Sequence, residues 1–264
     1  MERPIGVIDS GVGGLTVVKE MRSKLPNESI IYIGDDKRCP YGPRPAAEVR
    51  MFTIEMATAL SKMGIKLLVI ACNTATAVAL DDIRNLFSFP VIGVIVPGAR
   101  AAIEASATDE IAVLGTTGTI KSGAYSQEIS RQSPGATVFP LACPEFVPIV
   151  ESGQYKTEYA SGVIEHTLRA LSGKYFDVAI LGCTHYPLLE HHIKNSLPAH
   201  VKIISSAVET VRDVERELVK RNIQAEKMIP TNPIFYTTGL QISFVEIVSD
   251  WLSIDDPDVR HIDL

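Results

Sequence analysis

Two short apolar runs end alike and constrain the whole chain: residues 66–74 read KLLVIACNT and residues 177–185 read DVAILGCTH. Neither LLVI nor VAIL shows the alternation of a half-exposed strand. Each is therefore expected as a strand buried on both faces, the habit of parallel sheets. Each run delivers a cysteine, Cys72 or Cys183, behind a small residue and ahead of amide or hydroxyl side chains. Two further pairs repeat at nearly equal offsets, Cys39-Pro40 with Cys143-Pro144 and IGVIDSG (5–11) with IAVLGTT (111–117). Three echoes in one order predict two related α/β halves. Packed about a pseudo-twofold axis, such halves bring Cys72 and Cys183 to one cleft, where facing thiols form an acid/base pair.

Short apolar runs alternate with helical patterns throughout, which predicts an α/β fold: two pseudo-symmetric α/β domains with mainly parallel sheets and a cleft between them. Strands are expected over 5–9, 29–33, 66–71, 90–94, 110–114, 136–140, 177–181 and 201–204, with a late one near 233–237. Helices are expected over 13–24, 46–63, 74–87, 97–106, 119–132, 156–172, 186–196, 207–221 and 240–252. The expected division is 1–97 plus 205–264 for the first domain and 98–204 for the second. Residues 205–264 carry no cysteine or glycine-rich loop and are expected to return to the first half.

The net charge of −6 and the absence of a Lys/Arg run argue against nucleic acid as a partner. The longest apolar stretches fall far short of bilayer thickness, so no membrane partner is expected. The chain passes from Met1 directly toward a strand without a signal-like segment, which points to the cytoplasm. Thiols stay reduced there, and four scattered cysteines do not resemble a disulfide scaffold.

Ligands of open α/β sheets bind beyond the carboxyl ends of the strands. Polar clusters fall at such ends: Asp9-Ser10-Gly11, Pro40-Tyr41-Gly42, Cys72-Asn73-Thr74, Gly115-Thr116-Thr117 and Cys183-Thr184-His185. Taken singly, these are ordinary helix caps; converging with paired thiols, they read as a site. Helix starts after Cys72 and Cys183 are expected to favour thiolate. Asp9 and His185 are the proton-handling neighbours, although His185 also reads as a hydrogen-bonded structural residue. Cys39 and Cys143 read as small buried hydrophobes. The Gly11-Val12-Gly13-Gly14 loop with Asp35-Asp36 downstream gives a weak dinucleotide reading, spoiled by Thr16 at the third fingerprint position and by an acidic mouth. Cys183, His185, His191 and His192 fit no standard metal spacing, so no metal is expected.

DSGVGGL (9–15), CPYG (39–42), ACNTA (71–75), GTTGT (115–119), LGCTHYP (181–187) and ISSAVETVRDV (204–214) together resemble the bacterial glutamate racemases of the cofactor-independent aspartate/glutamate racemase family. The resemblance spans nearly the whole chain. It implies two α/β domains around the substrate, no cofactor, a homodimer, and interconversion of L- and D-glutamate that supplies peptidoglycan. It also implies that Cys72 and Cys183 exchange protons with the substrate, Asp9 assists Cys72, His185 assists Cys183, and Glu151 lies near the site. Substrate would meet Asp9, Ser10, Tyr41, Gly42, Asn73, Thr74, Thr116, Thr119, Thr184 and His185. Asp36 stands where many relatives have Thr, and Val96 where close relatives often have His; both departures bear on cleft dynamics or regulation. Aspartate, hydantoin or another small acid as substrate, a thiol–disulfide redox protein and a pure binding module are the rival readings.

Overall fold

The computed structural model describes residues 3–226 and 230–264. Its strands are β1 (Ile5–Asp9), β2 (Ile30–Gly34), β3 (Leu67–Ile70), β4 (Val91–Gly93), β5 (Glu110–Gly115), β6 (Thr137–Ala142), β7 (Val178–Gly182), β8 (Lys202–Ser205), β9 (Ile234–Thr237) and β10 (Asp258–His261). The helices are α1 (Leu15–Lys24), α2 (Ala46–Lys62), α3 (Asn73–Leu86), α4 (Ile95–Ala105), α5 (Thr117–Ser122), α6 (Ala124–Gln132), α7 (Phe146–Glu151), α8 (Glu158–Leu168), α9 (Glu190–Ser196), α10 (Ser206–Arg221) and α11 (Gln241–Leu252).

Two wholly parallel sheets result, one in the order β10-β9-β2-β1-β3-β4 and the other β6-β5-β7-β8. The non-alternating runs are explained by helices on both faces. Leu67 and Val69 enter a core built with α1, α10 and α11, whereas Leu68 and Ile70 enter one built with α2 and α3. In β7, Val178 and Ile180 pack toward α4 and α6, while Ala179 and Leu181 pack toward α8 and α9. Residues 205–264 contribute β9 and β10 to the first sheet, with Phe235, Phe244 and Val248 buried in its core. Helix α10 follows β8 and packs against α1, β4 and α4, joining the two sheets. No helix among the described residues is long and apolar enough to cross a membrane.

Several expected boundaries shift. The helix over 119–132 is two helices, broken at Gly123, whose φ of 68° is left-handed. The one over 186–196 opens with a 3-10 turn at Tyr186–Leu189, and the one over 156–172 closes with another at Arg169–Leu171. Helix α7 lies outside the expected helices; Pro148 fits within it because it falls in the first turn, where no backbone donor is needed. Strand β10 was missed as well: its DVRH sequence is mostly exposed and is held at the sheet edge by backbone pairing with β9. Pro140 is tolerated in β6 because that strand is an edge.

Candidate active site

The parallel register sets the carboxyl ends level: Asp9 pairs with Gly34, Ile8 with Ile70, and Gly115 with Gly182. The residues just beyond those ends converge. Cys72, from the first sheet, and Cys183, from the second, wall the same cavity together with Ser10, Tyr41, Gly42, Asn73, Thr74, Thr116, Thr184 and His185. Asp9, Thr119 and Glu151 stand one contact behind: Asp9 accepts from Thr184 Oγ1 at 3.3 Å, Thr119 bonds both Thr74 and Thr116, and Glu151 bonds His185. Pro40, from the Pro40-Tyr41-Gly42 cluster, lines the cavity too, and one lining residue, Val147, escaped the sequence reading. Pro40 lies inside the CPYG motif; Val147 rides on α7, which carried no helical signal.

Local structure fixes each group. Cys72 caps α3, its Sγ accepting from Ala75 N at 3.5 Å, and Thr116 caps α5 by accepting from Thr119 N at 3.2 Å. Across the cleft, Thr74 Oγ1 lies 2.9 Å from Thr116 Oγ1 and 3.1 Å from Thr119 Oγ1; Gly118 N donates to Gly42 O at 2.8 Å, and Tyr125 OH to Asn73 Oδ1 at 2.8 Å. These bonds draw the sheets together around a cavity of about 10 Å³, room for about one water. Asn73 Nδ2 is buried in that wall without a protein partner among the described residues, a donor available to a ligand oxygen.

The two thiols have different surroundings. Burial, reinforced by the negative charge of Asp9, pushes Cys72 up to about 12, against the Ala75 N–H and the Ser10 hydroxyl. The expectation that the helix start favours thiolate fails at Cys72, because a thiol only 5% exposed loses more solvation than one capping bond returns. Cys183 is followed by a 3-10 turn rather than an α-helix, and its Sγ lies 3.8 Å from His185 Nδ1. Burial opposes the imidazolium, yet bonds to Cys183 and Glu151 outweigh it and raise His185 well above its ordinary value. The same ion pair holds Glu151 low against its own partial burial.

Asp9 is fully buried, and burial pushes it up to about 6, opposed by His185 and by the Gly14 and Gly11 amides. A folded-state pKa above the unfolded 3.8 means the native protein binds the extra proton, so stability falls as pH rises from about 4 through about 6. Asp9→Asn is expected to stabilise the fold at pH 7 by on the order of 1–3 kcal/mol and to give little gain at pH 4, measured by urea unfolding at both values.

The rival readings of these loops fare differently. Asp35 binds no ribose: it is buried and accepts from Arg38, Tyr41 and Thr238. The glycine loop leaves no room for a pyrophosphate either, since a Cβ at Gly13 would lie 2.4 Å from Thr184 Oγ1 and 2.5 Å from His185 Nδ1. His191 and His192, on α9, bond Asn195 and the Tyr155 carbonyl. Cys143 is buried as expected; Cys39 is part-exposed, with Sγ 3.9 Å from Glu151 Oε1.

Residues 5–214 match the Asp/Glu/hydantoin racemase family model. The chain belongs to the Asp/Glu/hydantoin racemase family. Among its curated relatives, the glutamate racemase of Lysinibacillus sphaericus is 51% identical over all of both chains. That of Enterococcus faecalis is 52% identical over all of this chain and 97% of its own. Among solved structures, a glutamate racemase isoform from Bacillus anthracis superposes with a TM-score of 0.96 at 45% identity, covering 99% of this chain and 98% of that one. The Francisella tularensis glutamate racemase, solved in complex with D-glutamate, gives 0.93 at 32% identity over the same shares.

Proposed function

We propose that this racemase interconverts L- and D-glutamate by passing protons between the α-carbon and two thiols, Cys72 and Cys183. The observation that carries the reading is that thiols from opposite sheets wall one cavity. Inverting a carbon requires removing hydrogen from one face and delivering it to the other. One base tends to return what it took; two bases on opposite faces do not. Burial gives the Cys72 thiol a high proton affinity, so a thiolate formed there is a stronger base toward a weakly acidic C–H than an exposed one.

His185, held by Glu151, serves Cys183, while Ser10 and Asp9 set the surroundings of Cys72. Asn73 Nδ2, without a partner among the described residues, and the Thr74 hydroxyl are placed to hold substrate oxygens where negative charge grows. A 10 Å³ cavity admits no amino acid, so the cross-cleft bonds of Thr74 and Gly118 must open for substrate and close again over it. Residues 1–97 with 205–264 and residues 98–204 are the two bodies that part in this reading. The chemistry calls on no cofactor. D-Glutamate formed by a homodimer in the cytoplasm would supply peptidoglycan.

The test is incubation of purified protein with either enantiomer in D₂O. Inversion is expected to place solvent deuterium on the α-carbon of the newly formed enantiomer. No inversion, or inversion that retains the original hydrogen throughout, would refute the proposal.

A further inference from the structure

Each two-thiol turnover leaves the wrong thiol protonated: the base now carries the substrate's proton, and the acid has become a thiolate. Repeating the reaction in one direction requires those protons to move, and while the cleft is closed its cavity has room for only about one water, so a relay of side chains is the route that stays available. The structure offers a route on one side only. Cys183 Sγ faces His185 Nδ1 at 3.8 Å, and His185 Nε2 meets Glu151 Oε1 at 2.5 Å. Glu151, with 35% of its side chain exposed, also lines a second cavity of about 560 Å³ beside the first. On the Cys72 side, Asp9 is sealed: one oxygen accepts from Gly11 N, the other from Thr184 Oγ1, and none of the residue is exposed.

Resting on the two-thiol reading, we propose that Glu151 is the proton outlet of Cys183, carrying that thiol's half of the reset between turnovers through His185 and the adjoining cavity, while Cys72, which lacks such a relay, exchanges its proton with water reaching the thiol cavity as product leaves. On release, the Cys183 S–H proton passes to His185 Nδ1 and leaves a thiolate; the imidazolium gives its Nε2 proton to Glu151, and the carboxylic acid hands it to water. Recharging is the reverse, so the imidazole returns to its first tautomer without turning over. Among the described residues, the ionisable groups around Glu151 include His185, Cys39, Asp36, Tyr32, Lys37 and His261. Asp36, held by Thr237 Oγ1 at 2.7 Å, is pushed up to about 7, chiefly by burial and further by the charge of Glu151. A carboxyl that gains and loses its proton near neutrality, next to the outlet, can pass that proton on to solvent.

The experiment compares wild type with Glu151→Ala and Glu151→Gln. Resetting the free enzyme limits kcat but not kcat/KM, so both variants are expected to lose at least about tenfold in kcat with a smaller change in kcat/KM. Formate, small enough for the vacated space, is expected to restore kcat of the alanine variant in proportion to its concentration. A merely structural role would lower both parameters together and gain nothing from formate, and that result overturns the outlet. So does an unchanged kcat. A second readout needs no turnover: water exchange of the His185 ring N–H, followed by ¹⁵N NMR, should slow in Glu151→Gln, and equal rates would also overturn it. Wild type that fails to racemise glutamate would refute the underlying activity instead, leaving the exchange measurement to judge the proton path.

Discussion

Cys72→Ala and Cys183→Ala are each expected to lower racemisation by on the order of a thousandfold or more, within the range that positioned acid/base groups contribute. The reason is stereochemical rather than additive. With one thiol gone, the remaining one addresses a single face of the α-carbon, and a proton taken there returns there. The double variant is therefore expected to be little worse than either single one, since inversion needs both groups at once. Both thiols are at least nine-tenths buried in well-packed walls, so each alanine leaves a small cavity rather than a disrupted fold. Polarimetry with glutamate, alongside far-ultraviolet circular dichroism, checks the claim. Substantial inversion by a correctly folded single variant would rule out the two-thiol scheme.

Gly13→Ala should have the next largest effect, about a hundredfold in kcat/KM, the scale on which a displacement near 1 Å is felt at a reacting centre. Gly13 lies on the loop between β1 and α1, and its missing side chain is the space occupied by the second sheet's loop. A Cβ there would sit 2.4 Å from Thr184 Oγ1, 2.5 Å from His185 Nδ1 and 2.6 Å from His185 Cε1. His185 cannot withdraw freely, because Glu151 holds its far nitrogen. The ring must tilt from Cys183, or the two loops must separate and leave the cleft ajar. Gly135, with nothing within 4 Å of an added Cβ, is the control: Gly135→Ala is expected to leave kcat/KM unchanged. Equal activity of Gly13→Ala and wild type would show that this contact does not position His185.

The sheet architecture was readable in the linear chain because burial on both faces leaves a local mark. Leu67 to Ile70 and Val178 to Leu181 are apolar at every position, and that pattern places parallel strands whatever surrounds them. Glycines and polar residues after those runs marked where a ligand would sit, since the carboxyl ends of parallel strands face one side. Two kinds of feature left no such mark. Strand β10 is held by backbone bonds along the edge of β9, which ask nothing of its side chains, and α7 is a six-residue helix with Pro148 in its first turn, too short to show a helical period.

Charge states lay further out of reach. The spacing of Cys72 before a helix argued for a thiolate, whereas the folded protein surrounds it with apolar atoms and the Asp9 carboxyl and drives its proton affinity the other way. Solvation and through-space charge depend on residues remote in sequence: Glu151 reaches His185 across 34 positions, and Thr184 reaches Asp9 across 175. The chain by itself determined the strands buried on both faces and the side chains that end them. Only the tertiary structure decided that Glu151 stands between the thiol cavity and its neighbour, and that the cleft closes on bonds between Thr74, Thr116 and Thr119, because such contacts exist only once both sheets are packed.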